Sequence, residues 1–95
     1  MNFVWDQRKN RGNIAKHGLD FEDAIRIFEG PTLEIVDDRF EYGEVRVYAI
    51  GLVQGIEITV IYTDVSEGTS ETSRPIISAW RSTQNERKVY WESFG

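Results

Sequence analysis

The longest run in which apolar and polar residues alternate with a period of two is Glu44–Asp64, EVRVYAIGLVQGIEITVIYTD. Val45, Val47 and Ala49 alternate with Glu44, Arg46 and Tyr48; Ile56, Ile58, Val60 and Tyr62 alternate with Glu57, Thr59 and Thr63. This pattern and its β-branched content predict two half-buried strands joined by a turn between Gly51 and Gly55. With Leu52–Gly55 as the loop, Gly51 stands opposite Ile56, Tyr48 opposite Thr59, Arg46 opposite Ile61 and Glu44 opposite Thr63. An even loop groups Val45, Val47 and Ala49 with Ile58, Val60 and Tyr62 on the core side. It leaves Glu44, Arg46, Tyr48, Thr59 and Thr63 together on the other; an odd loop would scramble both sets. The hairpin is therefore expected to have one apolar side and one side bearing groups that do chemistry.

The flanking segments follow from local signals. Met1–Trp5 is a short strand candidate. Asp6 is the N-cap of a helix reaching about His17, with Gly18 ending it. That helix has few apolar residues besides Ile14 and Ala15, while Lys9, Asn13 and Lys16 occupy the i, i+4, i+7 spacing a core stripe would use, so something other than apolar burial must hold it. Asp20 opens a second helix whose Phe21, Ala24, Ile25 and Phe28 form a core stripe, ended by Gly30 and Pro31. Thr32–Asp38 reads as a strand, Arg39–Gly43 as a turn and Val65–Ser73 as a loop. Pro75–Trp80 is a last strand, with proline at its start where the missing N–H is tolerated. Thr83 and Glu86 match a capping box before a terminal helix in which Arg87, Tyr90 and Phe94 share a face. The order β-α-α-β-β-β-β-α gives an α+β fold, an antiparallel sheet packed by helices, in one domain spanning residues 1–95.

Composition narrows the chemistry. The chain has no cysteine and one histidine, which removes thiolate metal sites and disulfides and argues against structural zinc. No apolar run reaches the roughly 20 residues of a membrane span. These features lead to an expected soluble, cytoplasmic protein with neither metal nor cofactor. The net charge of −5 is concentrated in residues 31–73, where nine acids face Arg39 and Arg46. Such a middle suits a basic protein partner, and a nucleic-acid contact would need the basic residues near the termini.

In the first helix, Trp5, Asp6, Lys9, Asn13, Lys16, His17 and Gly18 form the pattern W-D-x-x-K-x-x-x-N-x-x-K-H-G. With Asp38-Arg39, Tyr42-Gly43-Glu44, Arg46, Tyr62-Thr63, Ile77-Ser78-Ala79, Glu86-Arg87 and Tyr90, this resembles the BrnT family of type II toxin–antitoxin modules across essentially the whole chain. The resemblance implies a RelE-like fold, RNA cleavage without a metal, and a cognate DNA-binding antitoxin that neutralises the toxin and helps repress the operon. Two positions depart from the family: Val65 follows Thr63-Asp64, and Trp80 follows Ser78-Ala79, where arginines are common. Arg74 and Arg81 are nearby cations shifted along the chain.

RNA cleavage by its own 2′-hydroxyl needs a base, an acid and cations on the phosphate. Imidazole changes charge near neutral pH, so His17 suits either proton-transfer role. Glu44 is a candidate base, with Arg46 and Thr63 beside it; Lys9, Lys16, Tyr48, Arg74 and Arg81 are candidate RNA-binding groups. Each has a plainer reading. His17 sits where a cation suits a helix C-terminus, the lysines are a solvated face, Glu44 and Arg46 are an exposed ion pair, and Trp80 is core or partner surface rather than a stacking platform. A second reading of the whole chain follows: a BrnT-like protein that grips its antitoxin and regulates its operon but no longer cuts.

Overall fold

The computed structural model describes residues 2–37, 45–64 and 73–95. Asp6 caps the first helix by accepting the Arg8 N–H at 2.7 Å, and α1 runs Gln7–His17 until Gly18 turns left-handed at φ 68° and its N–H bonds Ile14. Asp20 caps the next helix in the same way through Glu22. Here α2, Phe21–Ala24, tightens into a 3-10 turn over Ile25–Glu29. The tightening corrects the expected core stripe. A period of three places Phe21, Ala24 and Ile27 inward, all fully buried, and leaves Ile25 and Phe28 only partly covered.

Among the described residues five strands form one sheet, β1 (Asn2–Val4), β2 (Leu33–Asp37), β3 (Val45–Val53), β4 (Ile56–Asp64) and β5 (Ser73–Arg81), in the order β1-β5-β4-β3-β2. The sheet is mixed rather than antiparallel throughout, because β1 pairs parallel with β5 at Asn2–Val4. The terminal helix α3, Gln84–Phe94, carries the expected capping box between Thr83 and Glu86. The Arg39–Gly43 turn, Glu44, and positions 65–72 of the expected loop lie outside the described residues.

The β3–β4 turn is shorter than expected. Gln54 and Gly55 both have positive φ, 51° and 79°, the two-residue geometry that matches strand twist. Tyr48 therefore faces Ile61, Arg46 faces Thr63 and Gly51 faces Ile58. The shift from the expected register is by two residues, so the facial grouping survives. Val47, Ala49, Ile58, Val60 and Tyr62 join Phe21, Ala24 and Ile27 in the core; Val45, at the strand's beginning, is 49 % exposed.

In β5 the pairing slips by one residue: Tyr62 faces Ile76 and Ile61 faces Ser78, leaving Ile77 as a bulge. Ile76 and Ala79 both reach the core because of it. Ser78 and Trp80 turn to the opposite face with Arg46, Tyr48, Ile50, Thr59 and Thr63. That second face groups Arg46, Tyr48, Thr59 and Thr63 as expected, but it is partly closed. Ile50, Thr59, Ile61 and Thr63 are buried, and α3 covers part of it with Tyr90, 2 % exposed and bonded through its hydroxyl to the Pro31 carbonyl.

Candidate active site

The helix short of apolar residues is fastened by two buried asparagines. Asn13 donates to the Ala79 carbonyl at 2.8 Å and accepts the Ala79 N–H at 3.1 Å, so its amide takes the place of a neighbouring strand along β5. It also donates to the Leu19 carbonyl and accepts from Ser78. Asn10 donates to Asp20 and accepts the Phe21 N–H, tying α1 to the start of α2. Lys9 and Lys16 remain exposed on the helix, as a solvated face would be.

This fastening carries the C-terminal end of α1 to the end of β5. His17 lies there with its ring 5.8 Å from that of Trp80. Lys16, His17, Ser78, Trp80, Arg81 and Thr83 line a shallow open cleft of about 450 Å³, with no carboxylate among the described residues of its lining. His17 and Arg81 also border a concavity of about 360 Å³ with Leu19, Asp23, Arg26 and Val53. Trp80 is in turn edge-on to Tyr48, centroids 6.1 Å apart and planes at 75°. Tyr48 lines a third concavity, about 440 Å³, against Glu86, Asn85 and Val89 of α3 and Ile35 and Asp37 of β2.

Glu86 joins the first and third of these. Its Oε1 accepts from Trp80 Nε1 at 3.0 Å, from the Thr59 hydroxyl at 3.0 Å and from the Thr83 N–H at 2.8 Å. The Thr59 proton is thereby committed, so Ser82 donates in the 2.7 Å Ser82–Thr59 pair. On the outer side of α3, Glu57 accepts from Trp91 Nε1. That bond, helped by Arg87 and Arg81, holds the Glu57 carboxyl below its usual range. Burial, with the Glu57 charge adding to it, pushes the Tyr90 phenol up.

The structure thus brings Lys16, His17 and Arg81 together and links them to Tyr48 through Trp80. It does not bring in Lys9, for which no contact with the cleft is seen, or Thr63, which is buried opposite Arg46. Arg46 shares the Tyr48 face two residues further along β3. Arg74 is not part of this cleft. It pairs with Phe3 before the bulge and its guanidinium stands 5.5 Å over the Tyr62 ring, on the core face of the sheet. Glu44 lies outside the described residues. Sequence reading had no role for Ser78 or Thr83 in the cleft, and it took Glu86 for a helix cap alone. The capping box signals one of Glu86's bonds; the others depend on β4 and β5 lying beneath it.

A family model for the ribonuclease toxin, BrnT, of type II toxin–antitoxin systems matches residues 5–86. The chain belongs to the BrnT family. Members of this family are ribonuclease toxins, so an antitoxin partner and RNA targets come with membership. No curated protein gives a match. Among the described residues no helix is long and apolar enough to cross a membrane.

Proposed function

We propose that this BrnT protein is a RelE-like, single-domain toxin of the cytoplasm that cuts RNA without a metal, using the cleft at the end of α1. The observation that carries the reading is the grouping of Lys16, His17 and Arg81 around one open cleft in a chain of net charge −5. A cationic opening on an acidic protein suits a polyanion. In the reaction a base removes the 2′-hydroxyl proton, the freed oxygen attacks phosphorus, and an acid protonates the departing 5′-oxygen. The products are a 2′,3′-cyclic phosphate and a 5′-hydroxyl. His17 takes one proton-transfer role and Glu44 is the candidate for the other. Lys16 and Arg81 offset charge on the phosphate; Arg46, Tyr48 and Thr63 lie on the sheet face that Trp80 shares, and Lys9 lies further along the helix.

The cognate partner in this reading is a basic, DNA-binding antitoxin attracted to the acidic middle of the chain, and DNA is reached only through it. Incubating antitoxin-free protein with RNA in EDTA tests the proposal. Cleavage leaving cyclic-phosphate ends is expected; intact RNA in EDTA that is cut when Mg²⁺ is added would refute metal independence. A non-cutting, antitoxin-binding protein is the second reading, favoured by Arg74 facing the core side. Growth arrest on expression of the chain alone, relieved by Arg46→Ala, excludes it.

A further inference from the structure

Trp80 stands where cations gather, and its surroundings hold it still. Nε1 is anchored on Glu86, and the His17 and Tyr48 rings flank the indole at 45° and 75°. Neither flanking ring lies flat on it. The residue is half-buried, lies outside the apolar core cluster, and forms part of the wall of the cleft that Lys16 and Arg81 also line. A fixed aromatic plane costs little ordering on binding, and every nucleobase has a π-face to lay against it. The lining offers cations, hydroxyls and an imidazole around a large aromatic ring, which suits a phosphate and a base side by side.

We propose that the Trp80 indole is the stacking platform for one unpaired base of the RNA, with Lys16 and Arg81 contacting the phosphates on either side. This rests on the ribonuclease reading and adds a nucleotide subsite to it. The Glu86 carboxylate is a positioning group here, since it touches the indole rather than the RNA.

The test is a cycle between protein and RNA. An oligonucleotide that the wild type cuts is prepared with an abasic site at each position around the scission point in turn. KM and kcat are then measured for wild type, Trp80→Ala, Trp80→Leu and Trp80→Phe. At one position base removal is expected to raise the wild-type KM roughly 5- to 100-fold while leaving kcat little changed. The Ala and Leu variants bind the intact RNA correspondingly weakly and are indifferent to that abasic site; Phe retains part of the effect. Leucine keeps apolar bulk against Tyr48, so its thermal melt separates loss of stacking from loss of fold. Equal abasic penalties in wild type and both variants overturn the subsite while leaving the ribonuclease reading intact. So does a Trp80 variant that loses antitoxin binding with unchanged RNA kinetics, which would assign the indole to the protein partner. A wild type that neither binds nor cuts RNA overturns both.

Discussion

The side chain of Asn13 satisfies both backbone groups of Ala79, donating at 2.8 Å and accepting at 3.1 Å. An amide and a peptide unit have the same donor and acceptor, so one side chain extends the sheet where β1 stops at Val4. Asn13→Ala leaves two buried backbone groups of β5 unpaired and is expected to cost roughly 2–4 kcal/mol. Chemical denaturation measures this. Asn13→Asp retains an acceptor but loses the donor to the Ala79 and Leu19 carbonyls, and it is expected to be no better.

Gly51 is a second point where two elements meet closely. A Cβ at this position would lie 2.7 Å from Ile27 Cβ. Gly51→Ala should therefore destabilise by about 1–3 kcal/mol through overpacking. The double variant Gly51→Ala with Ile27→Gly, which removes the Cβ that the new methyl would meet, should fall short of the sum of the two single losses, as neighbours sharing one space do. Thermal melts of the four proteins decide it.

Two titrations around α3 give opposite signs. The Glu57 carboxyl is lowered in the folded protein, so its contribution is present above the ordinary value of 4.5 and is lost as pH falls through the folded-state value. Glu57→Gln should flatten the acid side of the stability–pH curve. The Tyr90 phenol is raised, so its contribution is complete below 10.0 and disappears as pH climbs through the higher folded value. Tyr90→Phe should flatten the alkaline side, and by losing the bond to Pro31 should cost about 1 kcal/mol at neutral pH. Denaturation series across pH check both.

His17→Ala is expected to slow RNA cleavage roughly 100- to 10,000-fold, the range for loss of a proton-transfer group. Antitoxin binding should persist. Single-turnover cleavage with a pull-down of the antitoxin separates these effects.

Lys16→Ala and Arg81→Ala should each reduce the salt dependence of RNA binding. The slope of log K against log salt falls by about 0.7 for each phosphate contact to a single strand that is removed. Lys9→Ala, whose side chain is exposed outside the cleft lining, should change the slope least. Anisotropy titrations at several salt concentrations measure all three.

Much of the fold was legible because its signals are local. Asp6, Gly18, Asp20 and the Thr83–Glu86 box mark helix ends within four residues of themselves, and an even turn of either length keeps Val47 and Ile58 on one side. What escaped depends on distance. Ile27 becomes core only because the helix tightens over Ile25–Glu29 under the close approach of Gly51. Arg74 and Trp80 are even-numbered positions on one strand, and regular alternation would have placed them together; Ile77 separates their faces. His17 meets Trp80 only after Asn13 has found Ala79, 66 residues away, and no periodicity records that meeting.

The extra residue at Ile77 has a further meaning for how this strand tolerates change in length. Ile76 faces Tyr62 and Ser78 faces Ile61, so excising Ile77 restores an unbroken ladder in which every later side chain keeps its side. A one-codon deletion there should spare the cleft. The same deletion between Ala79 and Arg81 would turn the remaining cation about the sheet and detach it from the histidine, so the strand has one place to absorb an indel and, just beyond it, none.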